Sequence, residues 1–239
     1  MLSCTTTIPN DAFSVVNRLV GPSSFFRVNS YGGVTVTSKH LPFSFSIFAS
    51  VFIAGCAGFR AGQEVQSGRA ALQRDQPAAA IGYFRRAADI DPSYVNPFSG
   101  SGSVWTYLGR AYYEAGNYSE AQKVLEKALS SDKDNPMAQL YLGLSILRSG
   151  DSERGSRQIQ DALKGIYDWL NRAASRPGNG IYWDPAREIR SEIRKTLTEK
   201  PEPAKLISVA EWVGMRVDEE PDRVRRDEAR DKYESGKSD

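Results

Sequence analysis

Part of this chain repeats itself every 34 residues, and few features restrict a fold more. Leu108-Gly109 and Leu142-Gly143 stand 34 apart, as do Gly116 and Gly150, and Ala128-Leu129 and Ala162-Leu163. A fixed period of that length marks one supersecondary unit used several times, each copy burying its apolar face only by stacking on the next. A weaker earlier copy is carried by Gly68, Ala80, Phe84, Ala87 and Asp91-Pro92. It is out of phase because "VNPFSGSG" (95–102) adds about seven residues before the next copy begins. Phe98 in that insert is expected either to plug the stack or to touch a partner.

The residues suit helical hairpins. Small side chains at Gly109, Ala121 and Ala128 let two antiparallel helices approach, while Leu108, Tyr112 and Leu125 fill the space between copies. Gly116 and Gly150 supply the backbone freedom a helix C-terminus needs. In the middle copy Trp105, Leu108, Gly109, Tyr112, Ala121, Leu125 and Ala128 follow in order the signature of the tetratricopeptide repeat, with Gly116-Asn117-Tyr118 as its inter-helix turn. The stretch 61–169 resembles that family. Lys133 stands where the repeat-ending proline is usual, Gly155 replaces a small alanine, and the first copy lacks the Trp and Leu of its first helix. The resemblance implies an all-α fold: a right-handed α-solenoid of about three hairpins (61–94, 102–135, 136–169) with C-terminal capping helices.

It also implies a concave groove lined by the first helix of each repeat. Matching positions give Arg69 and Leu72 from the first copy, then Tyr107, Arg110, Tyr113 and Glu114 from the second. The third supplies Leu140, Tyr141, Leu144, Leu147 and Arg148. Tyrosines, aliphatics and a few arginines are the composition of protein interfaces, so the implied partner is another protein or peptide. Thr106, Arg110 and Leu144 depart from the Lys and Asn that clamp a terminal carboxylate in chaperone-tail receptors of the family. The groove is expected to be open, or covered by the insert or by the C-terminal helices.

Ile159, Ala162, Leu163, Ile166, Tyr167 and Leu170 keep a 3.6-residue rhythm, predicting that the last repeat helix extends over about 152–174. Beyond it, Asp184 reads as an N-cap, Pro185 as the first helical residue and Glu188 as a first-turn acid. Ile189, Ile193 and Leu197 form the stripe of that helix. "KPEP" (200–203) breaks the chain, and Leu206, Ile207, Ala210 and Val213 mark a further helix over about 204–213. Residues 176–220 are thus expected to cap the 61–175 stack. From Pro221 the mixed charges of 221–239 read as a solvated helix fraying into a tail. Tyr182 and Trp183 are expected to tuck against the preceding helix, with stacking on a ligand as the other reading.

The N-terminal part differs in kind. From Leu41 to Gly55 the polar side chains are Ser44, Ser46 and Ser50, a run of about 15 residues where a spanning helix needs about 20. It follows Lys39 and His40, the layout of an export signal. Its end, Ile53-Ala54-Gly55-Cys56, resembles the bacterial lipobox, which implies cleavage before Cys56 and acylation of its thiol. A single-pass anchor and a buried core segment are the competing readings. Signals usually run 15–30 residues, so 1–55 is expected to hold a non-native extension ahead of the signal proper, with 56–60 as the lipidated linker. Ala57 is not the aspartate that retains many lipoproteins in the inner membrane, which favours the periplasmic face of the outer membrane.

Charge and side-chain inventory exclude several classes. Arg18, Arg27, Lys39 and Asp11 are the charged residues of 1–55, leaving 28 bases and 28 acids beyond, and a neutral body is unsuited to general nucleic-acid binding. Cys4, Cys56 and His40 are the chain's thiols and imidazole, so from Ala57 onward there is neither a Cys nucleophile, a Ser–His pair nor a His/Cys zinc set. Paired carboxylates of a glycosidase kind are not gathered among apolar neighbours. Neither an enzyme, a metal nor a cofactor is expected. The sequence points to a membrane-anchored interaction scaffold of the bacterial envelope, the alternative being a soluble cytosolic adaptor without an anchor.

Overall fold

The computed structural model describes residues 26–28, 34–36, 44–96 and 102–237, with side chains from Ala57 onward, Asn179 excepted. Two compact units are present, Met1–Ile53 and Ala54–Asp239. In the first, β1 (Phe26–Val28) and β2 (Val34–Val36) pair antiparallel, Phe26 opposite Val36. Cys4, His40 and Phe98 lie outside the described residues, as do the side chains of Ile53, Ala54, Gly55 and Cys56.

The second unit is an α-solenoid of three hairpins followed by capping helices. Helix α1 (Ser44–Gln73) pairs with α2 (Pro77–Ile90), α3 (Val104–Glu114) with α4 (Tyr118–Ser131), and α5 (Pro136–Arg148) with α6 (Ser152–Ala174). The helices start where local chemistry favours it. Ser103, Asn135 and Asp151 accept hydrogen bonds from the backbone N–H of Thr106, Ala138 and Arg154, and Pro77 and Pro136 occupy first-turn positions whose N–H has no helical partner.

Each hairpin is closed by the same device. A large side chain on the second helix fills the space left by a glycine on the first: Phe84 over Gly68, Leu125 over Gly109 and Ile159 over Gly143. A Cβ at any of the three glycines would fall within 3.0 Å of that side chain. The knob lies 16 residues after its glycine in every copy. A glycine in a helix interior costs about 1 kcal/mol of propensity, and full burial of a Leu- or Phe-sized knob, about 1.5–3 kcal/mol, offsets it. The turn between helices also recurs. Gly116 (φ +76°) and Gly150 (φ +105°) take the left-handed conformation, and Asp75 (φ +56°) holds the matching place in the first hairpin. Asp75 in place of glycine is one reason that copy is faint in the sequence.

The seven-residue insert is pinned at both ends. The Asn96 N–H donates to the Gly102 carbonyl at 2.8 Å, and Val95 bridges Ser103. Buried Asn96 donates to the Tyr107 hydroxyl at 3.2 Å, so the insert's entry is tied to α3.

The C-terminal part departs from expectation in two places. Helix α7 (Glu188–Glu199) begins three residues later than Pro185. Asp184 is buried with φ +45°, and its carboxylate accepts the N–H groups of Ile189 and Arg190 at 3.1 Å each, capping the helix from a distance. Arg187, not Asp184, is the residue flanking the helix, and it is left-handed (φ +57°). Helix α8 (Pro203–Ser235) is 33 residues long, where a short helix and a fraying tail were expected. Pro221 lies inside it, and Asp218, Glu220, Pro221 and Val224 are buried. The acids are buried because each has a cation or a backbone donor opposite it, as described below. A short 3-10 turn (Asn179–Tyr182) leads to Trp183, whose indole packs edge-on to Trp169 with ring centroids 5.2 Å apart. Among the described residues no helix is long and apolar enough to cross a membrane.

Candidate functional site: the concave face and its internal helix

The first helices of the repeats, α1, α3 and α5, present the positions expected to line a groove. Nine of those eleven residues are buried, the exceptions being Glu114 and Arg148. The reason is α8. Its residues Leu206, Ala210, Val213, Gly214, Val217 and Asp218 are all buried; the helix packs on α5, α6 and α7 and reaches α1 and α3 through the side chains of Asp218 and Glu211. Of the arrangements the sequence left open, the one found is a groove partly covered by a C-terminal helix.

At the centre stands a buried ionic cluster. Arg69 of α1 donates through Nε to the Asp218 carboxylate at 3.3 Å and through Nη2 to the Asp218 carbonyl at 2.7 Å and to Asp222 at 2.8 Å. Arg110 of α3 approaches the same Asp218 carboxylate at 3.1 Å and pairs with Glu114 at 2.6 Å. Arg110 Nη1 is close enough for charge attraction, yet it lacks an aligned hydrogen bond among the described residues. Two guanidinium groups from different repeats thus meet one carboxylate from the last helix. Arg225 and Arg69 outweigh the opposing effect of burial at Asp222 and hold its carboxyl below the usual range.

One turn away the contact is tighter. Gly214 passes over the Tyr141 ring, and a Cβ there would fall 2.6 Å from the phenol oxygen and 3.3 Å from Leu140 Cδ2. Tyr141 in turn packs on Tyr113 (centroids 5.8 Å apart) and under the Arg110 guanidinium (5.6 Å to the ring centre). Burial pushes the Tyr141 phenol well above its usual range. The Tyr113 hydroxyl donates to Glu211, which also pairs with Arg148 at 3.0 Å, forming the solvent edge of the seam. Burial, reinforced by that hydrogen bond to Glu211, raises the Tyr113 phenol too.

Not every expected groove residue faces α8. Tyr107 stacks on Phe84 with centroids 5.4 Å apart, between the first two hairpins. Leu147 lies against Gly155 inside the third hairpin, where a Cβ on Gly155 would reach Leu147 Cβ within 2.6 Å. Leu144 is fully buried. Leu72 borders what α8 leaves unfilled, a cleft of about 570 Å³ also lined by Tyr113, Tyr118, Tyr141, Trp212 and Met215.

The residues that complete the site, Glu211, Gly214, Asp218 and Asp222, were not legible as site residues. One signal pointed to them. The Leu206–Ala210–Val213 rhythm continues to Val217 and Val224, which places Asp218 beside the buried face. The geometry can hold a helix by shape and charge. Among the described residues no group of three or more His, Cys, Asp or Glu is placed to hold a metal ion.

Residues 71–144 match the family model described as tetratricopeptide repeat. The TPR repeat-containing protein YpiA of Bacillus subtilis (strain 168) is 31% identical over 96 residues, covering 40% of this chain and 21% of that protein. The chain thus spans about a fifth of the length of the curated relative it matches. Two solved structures align. The Arabidopsis OM64 TPR domain covers 61% of this chain and 99% of its own (14% identity, TM-score 0.38). The Sgt2 TPR domain from Aspergillus fumigatus covers 59% and 80% (17% identity, TM-score 0.38). The matched stretch runs from the end of α1 into α5, and over it this chain is similar to tetratricopeptide-repeat sequence.

Proposed function

We propose that this chain is a protein-interaction scaffold tethered to the bacterial cell envelope, acylated on Cys56 and held at the periplasmic face of the outer membrane. The observation that carries the tether lies in the sequence: the apolar run 41–55 ends in Ile53-Ala54-Gly55-Cys56, the lipobox pattern, just ahead of the helical hairpins. Cleavage ahead of Cys56 would leave residues 56–73 of α1 to form the first hairpin, with the Gly68 seat for Phe84 and Arg69 retained. Two or three acyl chains, at about 0.8 kcal/mol per buried CH₂, suffice to hold a soluble domain on a bilayer. Supporting the scaffold half is the concave face, whose tyrosines, aliphatics and arginines already seat one helix.

Metabolic labelling with a palmitate analogue tests the tether. The expected result is label on the wild-type protein in the membrane fraction and none on Cys56→Ala. Unlabelled, soluble wild-type protein would leave the cytosolic adaptor as the reading. Cross-linking in intact cells tests the scaffold half, with capture of one envelope protein expected and capture of none contradicting it.

A further inference from the structure

We propose that the concave face is a receptor for an amphipathic helix bearing a single buried carboxylate, and that residues 203–219 of α8 are its internal occupant, displaced by a partner helix of the same pattern. The proposal rests on the scaffold reading and names both its ligand and its regulation.

The required pattern can be read from the present occupant. Leu206, Ala210, Val213, Gly214, Val217 and Asp218 are its buried side, with Gly214 and Asp218 directly on repeat residues. Ala204, Lys205, Ser208 and Met215 face solvent. A small residue is needed at 214 because the Tyr141 ring leaves no room for a Cβ. A carboxylate is needed at 218 because Arg69 and Arg110 bring two buried guanidinium groups to one point. An apolar helix would take away the acceptor that Arg69 and Arg110 share and leave each with one partly exposed acid, so the face selects against it. This is charge complementarity of a helix-in-groove kind, with the anchors at helical spacing.

The occupant fits the face incompletely. The cleft of about 570 Å³ beside it, bordered by Leu72, Tyr113, Trp212 and Met215, leaves room for a longer or bulkier helix. Arg110 Nη1 is still without an aligned acceptor among the described residues. Buried ion pairs fix register more than they stabilise, so a competitor needs the same register and a few better contacts.

The occupant is also bounded by break points. Lys200 is left-handed (φ +47°) between α7 and the prolines at 201 and 203, and Pro221 removes a backbone donor inside α8. From Glu220 onward the helix has fastenings of its own besides the Asp222 contact with Arg69. Glu220 accepts the Asp184 N–H at 2.9 Å, Arg223 donates to the Tyr182 carbonyl, and Val224 joins the Trp169–Trp183 cluster. Residues 203–219 can leave while 220–235 stay docked.

The test uses the full chain and a fluorescein-labelled synthetic peptide of residues 203–219. Full-length Asp218→Asn, with its own helix loosened, is expected to bind the peptide at least about tenfold more tightly than wild type, and a peptide carrying Asn at 218 is expected to lose about tenfold on that variant. Equal binding of the two peptides, or no binding to a variant with native helicity and a cooperative melt, would overturn the proposal. If Asp218→Asn does not fold, hydrogen exchange on wild type decides. Amides of 206–217 are expected to exchange at least about tenfold faster than those of α3 and α5, and equal protection of all three would overturn it. A stable dimer formed by trading α8 between copies, seen by light scattering, would reassign the occupant and also overturn it. Failure to capture any envelope partner would defeat the scaffold reading and leave these outcomes standing.

Discussion

Removing the Asp218 carboxylate is the perturbation whose cost the structure defines best. Asp218→Ala leaves Arg69 and Arg110 without their shared acceptor, and the two side chains are only 3% and 10% exposed. Breaking a buried pair by deleting one partner costs about 3–5 kcal/mol, because the remaining charge is stranded. Here Arg69 keeps Asp222 at 2.8 Å, and Arg110 keeps Glu114 at 2.6 Å, both acids partly exposed. That residual pairing places the expected loss at the low end, about 3 kcal/mol. Urea unfolding followed by far-UV circular dichroism should show a midpoint lower by about 1–1.5 M, given a slope of about 2–3 kcal/mol/M for a domain of this size. Two companions sharpen the reading. Glu153→Ala removes a surface pair with Arg157 and should leave the midpoint unmoved. Replacing Arg69, Arg110 and Asp218 together by Met, Met and Leu should restore most of the loss, since apolar side chains of similar volume substitute well for buried ion clusters. A loss below about 0.5 kcal/mol for Asp218→Ala would refute the reasoning, because a docked α8 cannot shed that carboxylate so cheaply.

Other outcomes follow from the same geometry. Leu125→Ala empties the space over Gly109 and should cost about 3–4 kcal/mol in the same urea assay, because a helix-interior glycine offers no side chain to collapse into the void. Trp183→Ala should cost about 3 kcal/mol and abolish the near-ultraviolet dichroism of the edge-on Trp169–Trp183 pair, while leaving the α3–α6 core protected from hydrogen exchange. The pH dependence has a definite sign. Asp222 has a folded pKa below its unfolded value, so its contribution is complete above the ordinary aspartate pKa of about 4 and is lost as pH falls through the depressed value. The melting temperature of wild type should therefore fall below about pH 4, and that of Asp222→Asn should fall less steeply over the same window.

The hairpins were legible in the sequence because their determinants are local. Gly109 and Leu125 lie on adjacent helices of one hairpin, and a 34-residue spacing repeats the pair as Gly143 and Ile159. The first hairpin was faint because the insert shifts it by about seven residues and because Asp75 takes the turn position that glycine holds at 116 and 150. The groove positions were placed on the right helices, but their exposure was not readable. What covers them is set by pairing across great sequence distance: Arg69 meets a carboxylate 149 residues away. A run such as "VDEEPDRVRRDEAR" has the composition of a solvated face, and its acids become buried only where guanidinium and amide donors wait on other elements. Pro221 misled for a related reason. A proline ends an isolated helix, yet this one is held before the proline by Asp218 and Glu220 and after it by Asp222 and Arg223, each tied to a partner outside the helix. Asp184 showed the converse: the right residue for a cap, acting over five positions through its own left-handed turn.

The closed concave face is tested most directly by nuclear Overhauser contacts between the Gly214 α-protons and the Tyr141 ring in the full-length chain. A docked α8 predicts strong cross-peaks, with the glycine protons shifted upfield or downfield by the aromatic ring. Absent cross-peaks, together with random-coil shifts for Gly214, would mean that the helix does not occupy the hollow of the stack in solution.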